Sequence, residues 1–251
     1  MSDWIEGVVA GQTRWTERLL SLRVEPPQGA DAISFEAGQF ARLALDIDGE
    51  RVARPYSFVN PPQQRPLEFY YAVVPGGPLS PRLAALQPGE RIFVAPNPAG
   101  FLVLSEVPDA QTLWLISTGT GIGPFISILR TETPWSRYRR VVLVHAARHA
   151  AELVYPGVLE EIAKARGERF SCIHILSRDH GAGALEGRIP ALLQDGALEA
   201  RAGTALEAAG SQVMLCGNPA MVREVTALLA ARGMKKHRRR SPGQITVENY
   251  W

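Results

Sequence analysis

Only two cysteines occur in the 251 residues, Cys172 and Cys216. They give neither a disulfide framework nor paired metal-ligand spacing. Two thiolates also fall short of the four an iron–sulfur cluster takes. Their scarcity fits a reducing compartment and an expected cytoplasmic location. Long apolar runs are missing too: stretches such as Leu113–Ile116 and Val141–Val144 are far below the ~20 residues of a membrane helix, so no membrane partner is expected. The opening residues, MSDWIEG, carry no basic start followed by an apolar stretch, and no secretion signal is expected. An excess of charge is also lacking, since 27 Lys and Arg face 25 Asp and Glu. The run Lys235-Lys236-His237-Arg238-Arg239-Arg240 holds five of those 27, and without it 22 basic residues face 25 acidic ones, a net −3. Positive charge is therefore local, which points to an acidic partner or a phosphate. Nucleic acid is not expected, because no aromatics interleave the run.

What is present supports a folded chain. Hydrophobic residues make up 46% and charged residues 21%, and the length suits one large domain or two medium ones. The first 105 residues read as short strands: Gly7–Ala10, Leu19–Val24, Phe40–Leu45, Arg54–Val59, Leu67–Val74 and Arg91–Val94. Turn residues separate them, among them Asp48-Gly49, Asn60-Pro61-Pro62 and Pro88-Gly89. This pattern predicts a small antiparallel six-stranded barrel. A short helix is predicted at Ser80–Leu86, with Ser80 as N-cap and Pro81 in its first turn. After the polar stretch Ser105–Gln111, strand and helix patterns alternate. Strands are predicted at Thr112–Ser117, Val141–Ala146, Phe170–Leu176 and Gln212–Cys216. Helices are predicted from near Pro124 and over Gly157–Arg166, Ile189–Gln194 and Ala220–Arg232. That alternation predicts a doubly wound parallel α/β sheet. The expected division is 1–105 and 111–251.

Several segments have the chemistry of phosphate and ring recognition. Gly119-Thr120-Gly121-Ile122-Gly123-Pro124 follows an apolar strand and opens a helix, where backbone N–H groups favour an anion. Its alternative reading is a plain strand-to-helix turn. A site for NAD would place an acid at the end of the second strand; here that strand ends in Arg148. Arg178 and Arg188 follow neighbouring apolar segments, and arginine forks suit the 2′-phosphate of NADP. Arg54-Pro55-Tyr56-Ser57 offers a cation, a flat ring and a hydroxyl, and Gly76-Gly77-Pro78-Leu79-Ser80 opens a second helix start. Phosphate recognition beside an aromatic face fits FAD, although Tyr56 reads equally well as a core residue. Cys216 ends a strand just before Gly217-Asn218-Pro219 and reads by itself as a small core residue. The chain ends Val247-Glu248-Asn249-Tyr250-Trp251, as a terminus held by stacking or as a terminal strand capping the sheet.

Taken together, RPYS, GGPLS, GTGIGP, HAAR, CGNP and the VENYW end resemble the bacterial-type ferredoxin/flavodoxin–NADP reductase family over the whole chain. The resemblance implies a flavoprotein that moves electrons between NADPH and a small one-electron carrier through FAD. FAD contacts would come from Arg54, Pro55, Tyr56, Ser57, Tyr70, Pro78, Leu79, Ser80, Thr118, Tyr250 and Trp251. Tyr56 and Tyr250 would cover the two flavin faces, and Trp251 would stack on adenine. Pro78 stands where the family often has a polar residue. NADP contacts would come from Thr118, Gly119, Gly121, Arg148, Ser177, Arg178, Arg188, Cys216 and Gly217. Ser57, Cys216 and Glu248 would serve the chemistry, with Ser57 near flavin N5 and Cys216 beside nicotinamide C4. The expected partner of a monomeric enzyme is an acidic ferredoxin or flavodoxin, docked by the basic run and Arg51. A neighbouring reading is the reductase module or electron-transfer subunit of an oxygenase-type complex; such modules usually carry a four-cysteine cluster segment.

Overall fold

The computed structural model describes residues 4–27, 33–181 and 183–249. Its first half holds β1 (Ile5–Arg14), β2 (Leu19–Glu25), β3 (Phe40–Ile47), β4 (Glu50–Ser57), β5 (Leu67–Ala72), α1 (Ser80–Ala85) and β6 (Arg91–Val94). These strands form one six-stranded sheet in the order β4-β3-β6-β1-β2-β5, and every pairing is antiparallel. A bridge between Phe58 and Phe69 joins its two edges, so the sheet closes into the barrel expected from the strand pattern. Alternate residues point inward, and Leu22, Leu43, Phe69 and Ile92 fill the interior. Asp48 and Gly49 both have positive φ, which matches the two-residue turn that sends β3 back as β4. Pro55 costs no ladder bond because β4 lies at the end of the strand order.

The second half holds β7 (Thr112–Thr118), α2 (Ile122–Leu129), α3 (Thr133–Arg137), β8 (Arg140–Ala147), α4 (Pro156–Arg166) and β9 (Phe170–Leu176). It continues with β10 (Leu185–Glu186), α5 (Ile189–Gln194), α6 (Ala197–Ala202), β11 (Ser211–Gly217), α7 (Pro219–Ala231) and β12 (Ile245–Asn249). The sheet order is β10-β9-β8-β7-β11-β12, parallel throughout. Helices cover both faces, as a parallel sheet requires: α2 and α4 pack on one, and α5, α6 and α7 on the other.

The structure departs from the sequence pattern at particular places. Ser80 is not the N-cap of α1 but its first residue, because its hydroxyl accepts the Val74 N–H at 2.9 Å. The stretch between the sheets is not a loose linker. Val107 is buried in the second core, and the Ser105 hydroxyl donates to Glu36 Oε2 at 2.7 Å. Of the end Val247–Trp251, left open between a stacked end and a strand, residues 247–249 belong to β12 along β11. The two halves also share a polar joint. Trp15 Nε1 donates to Ser21 Oγ at 2.7 Å, Ser21 Oγ lies 2.5 Å from Tyr155 Oη, and Tyr155 donates to Glu68 Oε1 at 2.9 Å.

Candidate active site at the junction of the two sheets

A cavity of about 490 Å³ opens on the barrel. Arg54, Pro55, Tyr56 and Ser57 from the end of β4 line it, with Tyr70 of β5, Pro78, Leu79 and Ser80 at the start of α1, and Glu248 of β12. The first eight of these are most of the FAD set expected from the sequence, gathered from three separate segments, and Glu248 is one of the residues expected to serve the chemistry. A second cavity of about 470 Å³ lies at the carboxyl ends of β7, β8, β9 and β11, where open parallel sheets bind ligands. Thr118, Gly119, Arg148, Ser177, Arg188 and Gly217 line it. Ala72 and Thr120 line both cavities, so the two spaces meet there. Thr118, expected to contact both FAD and NADP, lines only the second. Tyr250 and Trp251 lie outside the described residues.

Three residues of the expected NADP set do not line the second cavity. The Arg178 side chain is exposed beyond the end of β9. Gly121 packs against the end of β11, where an added Cβ would fall 2.5 Å from the Cys216 carbonyl oxygen. Its glycine thus answers to a close backbone approach rather than to a phosphate. Cys216 is 0% exposed and belongs to the core beneath α2. Behind it, Gly217 at φ +130 leaves no room for a side chain, since a Cβ would meet Thr118 Oγ1 at 2.3 Å. That crowding has a purpose in the packing. Thr118 Oγ1 accepts the Asn218 N–H at 2.8 Å, and Asn218 Oδ1 then caps α7 through the Ala220 N–H at 2.8 Å.

The first cavity has polar atoms to spare. The hydroxyl of Tyr70 and Oε1 of Glu248 are buried with no hydrogen-bond partner among the described residues. Burial pushes the Glu248 carboxyl up to about 7 and the Tyr56 phenol up to about 12. Arg54 Nη1 donates to the Ala53 carbonyl at 2.7 Å, which fixes the guanidinium at the rim. Sequence reasoning missed Phe40 and Val74 in the first cavity and Glu152 and Glu224 in the second. The first two are apolar strand and turn residues without a local signal. Thr120 and Asn218 stood inside the GTGIGP and CGNP segments.

The basic run is not a uniform charged face. Arg239 ion-pairs with Glu106, Nη2 to Oε1 at 2.6 Å, and its guanidinium lies 4.6 Å from the ring centre of Phe101. Arg51, the other expected docking cation, is held by Asp46 through contacts of 2.8 and 2.9 Å and lies over Phe93. Arg238 and Arg240 are exposed.

A closed antiparallel barrel beside a doubly wound parallel sheet, each with a cavity and the cavities adjoining, defines an oxidoreductase with FAD-binding and NAD-binding domains. Residues 8–100 match the family described as the oxidoreductase FAD-binding domain, and residues 115–227 the oxidoreductase NAD-binding domain. The chain belongs to the flavodoxin/ferredoxin–NADP reductase family. It is 49% identical over 252 residues to the flavodoxin/ferredoxin–NADP reductase of Escherichia coli (strain K12), and the match covers 100% of both chains. The corresponding reductase of Shigella flexneri is also 49% identical with 100% of both chains covered. Among solved structures, a ferredoxin NADP+ reductase from Neisseria gonorrhoeae with bound FAD and NADP superposes with a TM-score of 0.93 at 30% identity, covering 100% of each chain. Among the described residues, no helix is long and apolar enough to cross a membrane.

Proposed function

We propose that this chain passes electrons between NADPH and a ferredoxin or flavodoxin by way of FAD. The observation that carries the reading is the meeting of the two cavities at Ala72 and Thr120, which would let a ring held in one reach a ring held in the other. The residues fit FAD, because the first cavity combines an aromatic wall with a cation and buried polar atoms that lack partners among the described residues. When bound, FAD supplies hydride acceptance from the nicotinamide and release of electrons one at a time.

The chain's own residues bind and orient. Tyr56 offers a face that stays uncharged, since burial holds its phenol protonated. The Arg54 guanidinium would hold the pyrophosphate. Ser80 keeps its O–H to donate while its oxygen accepts from Val74. Pro78 has no N–H, so Leu79 and Ser80 supply the donors at that turn. Ser57 and Glu248 line the same cavity, and Glu248, raised by burial to about 7, exchanges its proton near neutral pH. Arg148, Arg178 and Arg188 receive the 2′-phosphate, and Cys216 supports the nicotinamide subsite from beneath, through the backbone of Gly121 and Gly217. By the family resemblance, Tyr250 and Trp251 would contact FAD. The FAD unit is residues 1–105 and the NADP unit residues 111–251.

The carrier is acidic, and Arg238 and Arg240 meet it in a small, salt-sensitive encounter. The enzyme works as a cytoplasmic monomer. Anaerobic stopped-flow tests the reading. NADPH should reduce the flavin far faster than NADH, and oxidised flavodoxin or ferredoxin should then reoxidise it. Equal rates with both nucleotides, or failure of both carriers, would overturn it.

A further inference from the structure

The ends of β8 and β9 stay tied past the last paired residues of the sheet. Ser177 N–H donates to the Ala147 carbonyl at 3.1 Å, and Arg178 N–H to the Arg148 carbonyl at 3.0 Å. Arg148 N–H in turn donates to Glu152 Oε2 at 2.9 Å. One residue further, side chains take over. His149 Nδ1 lies 2.8 Å from Asp179 Oδ1, and Asp179 Oδ2 accepts the Ala150 N–H at 2.8 Å. The carboxylate only accepts, so the imidazole carries its proton on Nδ1. Hydrogen bonds from His149 and from Ala150 hold Asp179 below the usual carboxylate range. Both oxygens of Asp179 are therefore engaged by the loop after β8. Arg148, Arg178 and Arg188, by contrast, make no side-chain hydrogen bond or ion pair among the described residues.

An acid at a strand end beside the adenosine ribose is the device by which NAD sites hold the 2′,3′-diol. The same charge opposes a 2′-phosphate. Asp179 is an acid just past the end of the neighbouring strand β9, adjacent in sequence to Arg178 and outside the lining of the cavity. We propose that His149 is a positioning residue for nucleotide specificity. It clasps Asp179 and keeps that carboxylate from the 2′-phosphate subsite formed by the three arginines. The inference rests on the assignment of those arginines to the 2′-phosphate. Other charges near the subsite do not depend on the clasp. Glu152 and Glu224 line the cavity, and Glu186 is engaged by His180 at 2.9 Å.

The test uses the FAD-loaded enzyme and calorimetric titration with 2′,5′-ADP and with 5′-AMP, which lacks the 2′-phosphate. His149→Ala should weaken 2′,5′-ADP about tenfold, the order expected for one carboxylate released near a phosphate in a screened site, and leave 5′-AMP within about twofold. His149→Asn, which returns a donor to the Nδ1 position, should bind 2′,5′-ADP as the unaltered enzyme does. Adding Asp179→Asn to His149→Ala should restore affinity, because the released group no longer carries charge. NADPH kcat/KM should follow the same order, while NADH kcat/KM stays level. A His149→Ala enzyme with unaltered 2′,5′-ADP affinity would overturn the proposal. So would a loss that Asp179→Asn does not restore, since the clasp would then be holding only the loops. Arg148→Ala and Arg188→Ala separate the two readings. If they weaken 2′,5′-ADP and His149→Ala does not, the clasp fails alone. If neither arginine change weakens it, the arginine assignment fails and the clasp with it.

Discussion

Glu248→Gln isolates the acid that β12 brings to the flavin cavity. The carboxyl is buried with Oε1 unpartnered, and burial raises it from the ordinary 4.5 to about 7. At about 1.4 kcal/mol for each factor of ten in an ionisation constant, that displacement corresponds to roughly 3 kcal/mol. The sign follows from linkage. Below the ordinary carboxyl range, the group is protonated in both the folded and unfolded chain and costs nothing. Between the unfolded and folded values, the unfolded chain ionises while the folded one keeps its proton, so stability falls as pH rises. Above about 7 the penalty is complete and constant. Gln carries no such penalty, so the variant should gain on the unaltered protein between pH ~5 and ~8, by an amount approaching ~3 kcal/mol, and then level off. FAD in the cavity excludes more water and acts in the same direction. Urea unfolding of both proteins across that range measures the difference. Hydride transfer supplies a second readout: its rate should change with pH around 7 in the unaltered enzyme and lose that inflection in the variant. A stability difference that does not vary with pH would refute the reasoning, because Glu248 would then titrate as an ordinary exposed carboxyl.

Arg148→Ala together with Arg188→Ala should lower NADPH kcat/KM about 100-fold, roughly tenfold for each charge-assisted contact, and leave NADH kcat/KM within about twofold. Arg178→Ala, whose side chain does not line the cavity, should cost less in the same steady-state assay. Neutralising Arg238 and Arg240 should flatten the salt dependence of flavodoxin or ferredoxin turnover, whereas Arg239→Gln should alter that slope less, since Glu106 already answers its charge. Tyr155→Phe removes the hydroxyl joining Ser21 and Glu68 across the two halves and should cost about 1–3 kcal/mol in urea unfolding.

The barrel and the parallel sheet were legible because their core strands carry compact apolar patterns. The site was legible where its residues sit at strand ends beside turn glycines, as in RPYS and GTGIGP. Elements held by tertiary contact were not. In β4, Glu50 and Arg51 face solvent on an end strand, so the pattern was picked up only from Arg54. The six residues of α6 lie between Gly196 and Gly203, both at positive φ, and so few residues leave little helical periodicity to detect. In β12 the three residues Ile245–Val247 are too few to mark a strand, and its place comes from register against β11. The Arg239–Glu106 pair spans 133 residues, beyond any local pattern. Phe40 and Val74 show the remaining limit: an apolar residue that walls a cavity has the same sequence signature as one in the core.

The register of the parallel sheet explains how the chain's last strand serves its flavin cavity. Glu248, Cys216, Ser117, His145 and His174 are successive partners across β12, β11, β7, β8 and β9. Paired residues of parallel strands share a face, so this row lies on the side covered by α2 and α4. Its interior is electrically quiet. Cys216 and Ser117 are 0% exposed, and Ser117 Oγ donates to the Val144 carbonyl at 3.0 Å. Burial and the neighbouring His174 bring His145 down to about 3, so it stays neutral at working pH. His174 at the far end is lowered by burial as well. Glu248 alone in the row lines the first cavity, and burial raises it to about 7. What places it there is the pairing of Cys216 with Glu248 in β11 and β12. A slip of one residue would turn Glu248 to the opposite face and bring Val247 or Asn249 to that position. β12 is therefore more than a cover for the sheet edge: its register carries a titratable acid from the end of the chain to the barrel's cavity.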